Sequence, residues 1–272
     1  MLSDARFGVL GWPVGHSRSP AMMRAAGLGR YQLLPVAPEA FADTVRGLGG
    51  AGFAGANVTI PHKEAALAAA DTVSEAAREI GAANTLTFAA DGSITAENTD
   101  APGFIAALGD ELPATAMVLG AGGSARAVVW ALTRAGVDVS VWNRTRGRAE
   151  SLGVRVVGQP VAAELLVNCT SVGLDHTSKD FKLVGLDADG LREYTTVADL
   201  VYRTGGTSLI AEASRRGLNT VDGLEILVRQ GAFSFTLWTG RPAPLSVMRA
   251  AVRDGEPDPR APRTDPPESP HA

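Results

Sequence analysis

Lys63 stands where a helix favours no cation. It follows Gly55-Ala56-Asn57-Val58-Thr59-Ile60-Pro61-His62, a strand-like run whose proline is expected to open a helix and place Lys63 in its first turn. The positive end of a helix dipole disfavours a lysine there. On an alternating strand Asn57 and Thr59 face one way, and Val58 and Ile60 the other. Asn57, Thr59 and Lys63 would then converge as one wall of a polar pocket. For this segment alone, a solvated surface lysine is the simpler reading. Asp100 ends a second strand-like run, Ile94 to Asp100, with Asn98 on the same face. It could cap a helix beginning near Gly103, or it could partner Lys63. An ammonium held by a carboxylate can pass a proton to an oxygen that gains charge during a reaction. Ser17 and Ser19 lie just before an expected helix start at Pro20, and their hydroxyls could hold a small carboxylate. Ser19 reads equally as the N-cap of that helix, whereas Ser17 has no such role.

A second group of residues suits a phosphate. Ala116 to Leu119 reads as a buried strand and Ser124 to Ala135 as a helix, with Gly120-Ala121-Gly122-Gly123-Ser124-Ala125 between them. This matches the G-x-G-x-x-G/A dinucleotide fingerprint. Gly120 allows the tight turn, Gly122 a close approach of a pyrophosphate, and Ala125 close packing of helix on strand. The following strand, Val137 to Trp142, runs into Asn143-Arg144-Thr145-Arg146-Gly147-Arg148. An NAD-specific site usually carries an acid at that point for the ribose 2′-hydroxyl. Here three arginines stand in five residues, and guanidinium forks suit a 2′-phosphate. A solvated basic helix start would look the same without the upstream glycines; with them, NADP is the favoured cofactor.

These residues need elements to hold them. Alternating strands and helices fill residues 5–100: a strand over 5–11, a strand from Tyr31 to Val36, a helix from Glu39 to Leu48, a helix over 74–81 carrying Glu75, and a hairpin turning at Asp91-Gly92. No phosphate motif occurs there, which marks a substrate domain. After the fingerprint come short strands near Val154 to Val157 and at Leu165 to Cys169. The second of these opens into the polar loop Thr170 to Leu174, at a strand's carboxyl end, where open α/β sheets bind ligands. A strand from Thr195 to Tyr202 and a helix from Ser208 to Arg216 precede a long helix beginning near Gly223. Its faces read Leu224/Leu227/Gly231/Phe235/Trp238 and Ile226/Gln230/Phe233/Leu237, so Gln230 is a polar residue on an apolar face, and a ligand hydroxyl is one candidate partner for it. Beyond Asp254 the chain is rich in Pro, Asp and Arg and is expected to be disordered.

Composition narrows the class. The 272 residues are 45% hydrophobic and 20% charged, with 31 glycines, which fits an α/β protein with a substantial core. A net charge of −4 offers no global positive field for nucleic acid or anionic membrane. The single cysteine, Cys169, reads as a small buried hydrophobe and fits a reducing compartment. The four histidines are scattered without metal-ligand spacing, so no metal is expected. No membrane-spanning run or signal peptide is apparent, so the expectation is a cytoplasmic protein.

Read together, G-W-P-V-G-H-S-R-S-P (11–20), G-A-N-V-T-I-P-H-K (55–63), I-G-A-A-N-T-L (80–86), E-N-T-D (97–100), G-A-G-G-S-A-R-A (120–127), N-R-T (143–145), N-C-T-S-V-G-L (168–174) and G-L-E-I-L-V-R-Q-G-A (223–232) resemble the shikimate dehydrogenase family, in its order, from about Gly11 to Gly240. The resemblance implies an N-terminal α/β substrate domain (1–100) and a C-terminal Rossmann-type doubly wound parallel sheet (101–222). C-terminal helices (223–253) would return to the substrate domain, and 254–272 would form the disordered tail. It implies reduction of 3-dehydroshikimate to shikimate with NADPH, by a monomer or homodimer. By the same resemblance, Lys63 and Asp100 match the catalytic pair and Ser17 and Ser19 the carboxylate site. Asn57, Thr59, Asn84, Tyr202 and Gln230, with Lys63 and Asp100, would frame the ring hydroxyls. Gly120, Ala121, Gly122, Gly123, Ser124 and Ala125 would hold the pyrophosphate, and Asn143, Arg144, Thr145 and Arg148 the adenosine phosphate. Thr170, Leu200 and Gly223 would lie near the nicotinamide half, and Glu75 close to the cofactor. The chain departs from the family pattern at Met23-Arg24, where His-Asn is common, and at Thr204, where proline is common. A relative acting on quinate or an amino-substituted analogue, with NADP or NAD, is the nearest alternative. A catalytically silent NADP-binding sensor is another, although it would have no need of a proton-transfer pair.

Overall fold

A computed structural model describes residues 5–174, 185–186, 189–203 and 205–254. The expected disordered tail and the Thr204 departure lie outside the described residues. The chain divides into two compact units, one taking residues up to Thr99 and from Gly231 onward, the other Asp100–Gln230.

In the first unit, β1 (Arg6–Gly11), α1 (Ser19–Ala25), β2 (Tyr31–Pro35), α2 (Phe41–Leu48), β3 (Phe53–Val58), α3 (Lys63–Ala69), β4 (Thr72–Val73), α4 (Glu75–Ile80), β5 (Thr85–Phe88) and β6 (Ile94–Glu97) alternate. They build a mixed sheet of order β2-β1-β3-β5-β6-β4. The pairs β1/β2 and β1/β3 are parallel, while β3/β5 and β5/β6 are antiparallel. The hairpin between β5 and β6 turns at Gly92, whose φ of +86° is left-handed. Asp91 Oδ1 accepts the Ser93 N–H and hydroxyl beside it. The core gathers Leu10, Phe41, Val45, Val58, Leu86 and Ile94.

The second unit holds α5 (Asp100–Leu108), β7 (Thr115–Leu119), α6 (Gly123–Arg134), β8 (Asp138–Trp142), α7 (Arg146–Glu150), β9 (Arg155–Val156), β10 (Leu165–Asn168), β11 (Thr196–Asp199), α8 (Ser208–Arg215) and β12 (Asn219–Val221). Its strands are all parallel, in the order β12-β11-β10-β7-β8-β9. Renumbered within the sheet this is 6-5-4-1-2-3, the doubly wound dinucleotide-binding order, with its switch between β7 and β10. Two further helices follow, α9 (Gly223–Thr239) and α10 (Leu245–Asp254).

The C-terminal helices pack closely on the first unit. A methyl on Gly55 would run into the Trp238 indole, and one on Gly231 into Met22. Trp238 Nε1 donates to the Leu86 carbonyl at 3.1 Å. The Arg18 guanidinium reaches the Val252 carbonyl in the last turn of α10 at 2.8 Å. Among the described residues no helix is long and apolar enough to cross a membrane.

Several expected elements differ. Pro61 does not open α3; it follows a cis peptide in a turn, and the helix begins at Lys63 with His62 as N-cap. The alternation of β3 stops at Val58, so Ile60 is 57% exposed instead of sharing the buried face of Val58. Asp100 does not end a strand: β6 finishes at Glu97, and α5 starts at Asp100, ahead of Gly103. Two- and three-residue strands, β4 and β12, are too short to carry a period. On α9 the Leu227/Gly231/Phe235/Trp238 stripe is buried, but Phe233 and Leu237 on the second face are exposed.

Candidate active site

The substrate-domain candidates sit on strand ends and helix starts. Ser19 is the first residue of α1 and buried, and Arg18, not Ser19, is the N-cap. The capping-type bond belongs instead to Ser17, whose Oγ accepts the Ser19 N–H at 3.3 Å. Lys63 opens α3 and is only 8% exposed, which rules out the solvated surface lysine. Its carbonyl accepts the Ala83 N–H at 2.9 Å, tying the head of α3 to the residue before Asn84. A buried ammonium is retained only among partners or at a site of use.

His62, which has no metal-ligand spacing, is the N-cap residue of α3 and anchors the backbone just before that lysine. Its ring stacks on Phe41 with centroids 4.4 Å apart, and its Nε2 lies 2.7 Å from the Val36 carbonyl. Burial lowers its pKa, against the Val36 bond that raises it. The ring is therefore neutral at pH 7, with Nε2–H donating to the carbonyl. No local pattern signals this, because Val36 and Phe41 lie more than 20 residues away. Thr59 is half-buried, and its backbone bonds Leu10 and His62, closing the turn that precedes Lys63.

Asn57 does not reach outward. Its Oδ1 accepts the Tyr31 hydroxyl at 2.8 Å, and its Nδ2 faces the Asn84 carbonyl, Thr85 Oγ1 and Ser234 Oγ at 3.2, 3.1 and 2.9 Å. Both its polar atoms are bonded inside the unit. Asn84 is also buried; its Oδ1 accepts the Thr99 N–H at 2.7 Å and its Nδ2 donates to Thr99 Oγ1 at 3.0 Å. Asn98, grouped with Asp100 in the sequence, turns instead to the Ala82 carbonyl. Glu75 is exposed in the first turn of α4, where helix electrostatics favour an acid.

In the second unit the glycines divide by cause. Gly120 has φ +109°, and a Cβ there would stand 3.0 Å from the Cys169 carbonyl, so the fold itself demands it. A Cβ on Gly122 would meet no protein atom within 4 Å. Gly122 is the N-cap of the twelve-residue α6 and supplies no side-chain cap. A helix start free of side-chain caps, with open space over its glycine, fits a pyrophosphate. Ala121 and Ala125 are buried beneath it, Ala125 fully, while Gly123 and Ser124 lie towards solvent.

The arginines also divide. Arg146 pairs with Glu150 at 2.9 Å. Arg144 and Arg148 are exposed and, among the described residues, their side chains make no hydrogen bond or ion pair. Asn143 Nδ2 bonds the Thr145 carbonyl at 2.8 Å and shapes the loop that carries them.

The loops after β10 and β11 are held by one carboxylate, Asp199, which the sequence did not single out. It is fully buried and accepts the Asn168 amide at 2.9 Å, the Val201 N–H at 3.0 Å and the Thr207 hydroxyl at 2.7 Å. Burial pushes its pKa up to about 6, against the pull of those three donors. Asn168 Oδ1 in turn receives the Thr170 N–H and hydroxyl at 3.0 and 2.7 Å, and the Asn168 carbonyl the Leu200 N–H at 3.0 Å. Thr170 and Leu200 are thus set by the same network; Tyr202 follows, half-buried. Gly223 is required by packing, since a Cβ there would lie 2.6 Å from the Val201 carbonyl. Gln230 is buried with Nε2 on the Leu227 carbonyl at 2.9 Å, so the backbone of its own helix supplies a partner. Gly103 lets α5 meet α9 at that point, as its Cβ would stand 2.6 Å from the Gln230 backbone. Cys169 is partly buried, less than expected. Among the described residues no acidic, histidine or cysteine group could hold a metal ion.

Residues 9–86 match the model of the shikimate dehydrogenase substrate binding domain, and residues 223–253 that of the shikimate 5'-dehydrogenase C-terminal domain. A shikimate dehydrogenase (NADP(+)) of Paracoccus denitrificans is 46% identical over 270 residues, 90% of this chain and 94% of that protein. The chain belongs to the shikimate dehydrogenase family. A further shikimate dehydrogenase (NADP(+)), from Thermus thermophilus, is also 46% identical, covering 91% of this chain and 98% of its own length. Among solved structures, a shikimate 5-dehydrogenase of Thermus thermophilus in complex with NADP(H) and shikimate has a TM-score of 0.84 and 44% identity, over 92% of this chain and 99% of that one. The stretch matching the shikimate dehydrogenase substrate domain contains Ser17, Ser19, Asn57, Thr59, Lys63, Glu75 and Asn84 and stops short of Asp100.

Proposed function

We infer that this chain catalyses the reversible, NADP-dependent reduction of 3-dehydroshikimate to shikimate, an oxidoreductase reaction on a CH–OH group, with Lys63 as its acid–base residue. The observation that carries this reading is the burial of Lys63 at the head of α3. NADPH supplies the hydride. When a ketone accepts hydride, its oxygen gains negative charge and needs a proton donor at hydrogen-bond distance. The Lys63 ammonium provides that proton and, before transfer, stabilises the charge. Asp100 accepts a bond from a ring hydroxyl and offsets the cost of the buried ammonium.

Ser17 and Ser19 hold the carboxylate through neutral hydroxyls. Thr59, Asn84, Tyr202 and Gln230 bind ring hydroxyls, and Asn57 supports them from beneath. A polyol acid suits such a set, because hydroxyls and amides impose direction without strong charge. Gly120 to Ala125 would hold the pyrophosphate at the start of α6, and Arg144 and Arg148, with Asn143 and Thr145, the 2′-phosphate. Thr170, Leu200 and Gly223 would border the nicotinamide half, and Glu75 would stand near the cofactor.

The reading is tested on Lys63→Met and Asp100→Asn. Lys63→Met should lower kcat by roughly 10²–10⁴-fold, the usual scale for a positioned acid or base, with a much smaller change in KM. Asp100→Asn should impair both parameters. Turnover of Lys63→Met above about a tenth of the wild-type rate, far short of that scale, would remove the lysine from the chemistry.

A further inference from the structure

Thr85 begins β5 and is completely buried. Its Oγ1 lies 3.1 Å from Asn57 Nδ2, 3.2 Å from Asn84 Oδ1, 3.1 Å from Thr99 Oγ1 and 2.9 Å from Ser234 Oγ. A hydroxyl has one hydrogen and two lone pairs, so it can bond three of these four neighbours at a time. Thr99 and Ser234 are themselves 3.0 Å apart, which closes a triangle of three buried hydroxyls. Two contacts have a fixed sense. The Asn57 amide nitrogen can only donate to Thr85, and Asn84 Oδ1 can only accept.

The Thr99 N–H decides which way the Asn84 amide faces, because a backbone N–H can only donate whereas a hydroxyl could serve either end. Oδ1 takes that N–H and lies within reach of the Thr85 hydroxyl, so Nδ2 is the donating end, and it donates to Thr99 Oγ1 at 3.0 Å. An amide that recognises a substrate hydroxyl depends on which end it offers. Thr99 is the residue before Asp100, so the bonds that hold Thr99 also fix where α5 begins.

We propose that Thr85 is a positioning residue for substrate recognition: its hydroxyl is the hub that braces Thr99, which orients the Asn84 amide and begins the segment bearing Asp100. This rests on the assignment of Asn84 and Asp100 to the substrate. Ser234 brings α9 into the same hub one helical turn after Gln230.

The test compares Thr85→Val, which keeps the branched shape and removes the hydroxyl, with Thr85→Ser, which keeps the hydroxyl. Steady-state kinetics are run with shikimate and NADP, alongside melting temperatures. Thr85→Val should raise KM for shikimate about tenfold, the scale of one lost hydrogen bond, with KM for NADP within about twofold. Thr85→Ser should recover most of that loss. A structural role alone would lower the melting temperature and the active fraction, hence kcat, and leave both KM values in place. Wild-type KM for shikimate in Thr85→Val overturns the proposal. Asn84→Ala separates the two levels of inference. If it leaves KM for shikimate unchanged, the substrate assignment fails and takes the proposal with it. If it raises KM while Thr85→Val does not, only the positioning role fails. Should Thr85→Val not fold, Ser234→Ala removes another vertex and should raise KM for shikimate about threefold, a fraction of one bond; no rise overturns the proposal.

Discussion

The two units keep buried polar clusters of opposite kinds. In the first, Tyr31, Asn57, Asn84, Thr85, Thr99 and Ser234 offer only hydroxyls and amides and bond one another across β2, β3, β5 and α9. In the second, one carboxylate, Asp199, gathers three donors under the loops after β10 and β11. The neutral cluster is insensitive to pH and pins directions, which suits recognition of hydroxyls. The charged cluster draws two loops onto one centre, which suits shaping a nucleotide site, but it carries a desolvation cost that varies with pH.

Breaking the neutral cluster should have the largest effect on stability. Asn57→Leu keeps approximate volume and leaves Tyr31, Thr85 and Ser234 each short of a partner. The cost should be about 2–4 kcal/mol of unfolding free energy, read from urea denaturation, since stranded buried donors and acceptors lose their full desolvation penalty. A loss below about 0.5 kcal/mol, the range of ordinary surface changes, would show that water or rearrangement replaces the amide.

The next effect sharpens the second unit's dealings with charge at its surface. Arg144→Ala should weaken NADP by roughly 1–3 kcal/mol and NAD far less, as expected for one lost charge-assisted contact. Arg146→Ala should discriminate little, because that guanidinium already pairs with Glu150. Equal losses of NADP and NAD in Arg144→Ala would dismiss the 2′-phosphate assignment.

The last effect is the pH signature of Asp199. Its pKa rises from 3.8 in the unfolded reference to about 6 in the fold. Below the lower value both states are protonated and the group adds no slope. Between the two values the unfolded chain ionises first and holds fewer protons, so unfolding free energy should fall as pH rises. Above about 6 both states are ionised and the loss is complete. Asp199→Asn should therefore be flatter than wild type across that window in chemical denaturation at fixed salt. Parallel profiles would mean that the three donors hold the carboxylate ionised throughout.

Much of this was legible locally. Gly120-Ala121-Gly122 between an apolar strand and a helix is a short-range signal, and its parallel sheet follows from alternation of strands and helices. Lys63 could be suspected from its place at a helix start, but its burial could not, since that depends on how the whole unit closes around α3. Position and spacing already marked Ser17, Ser19, Asn57, Thr59, Lys63, Asp100 and Gln230 as pocket candidates, whereas Asn84 and Tyr202 came from the family resemblance alone. What stayed hidden was long-range. Thr85 meets Ser234 across 149 residues and Asn57 meets it across 177, separations at which no periodicity carries information. The roles of Ser17 and Ser19 were exchanged because the chain enters α1 one residue earlier than the serine and proline suggest. Asp199 reads in sequence as an interior residue of the Thr195–Tyr202 strand; only the fold ends that strand at Asp199 and turns Asn168 and Thr207 towards it.

The most direct test of the inferred reaction is an initial-rate assay of the purified chain with shikimate or quinate, each with NADP or NAD, following reduced nucleotide. The inferred reaction and the exposed Arg144 and Arg148 call for the highest kcat/KM with shikimate and NADP, at least about tenfold above every other pairing, the equivalent of roughly 1.4 kcal/mol of discrimination. Turnover of quinate or use of NAD at equal or greater efficiency would contradict the specificity assigned to this site. No turnover of shikimate with either nucleotide would contradict the reaction itself.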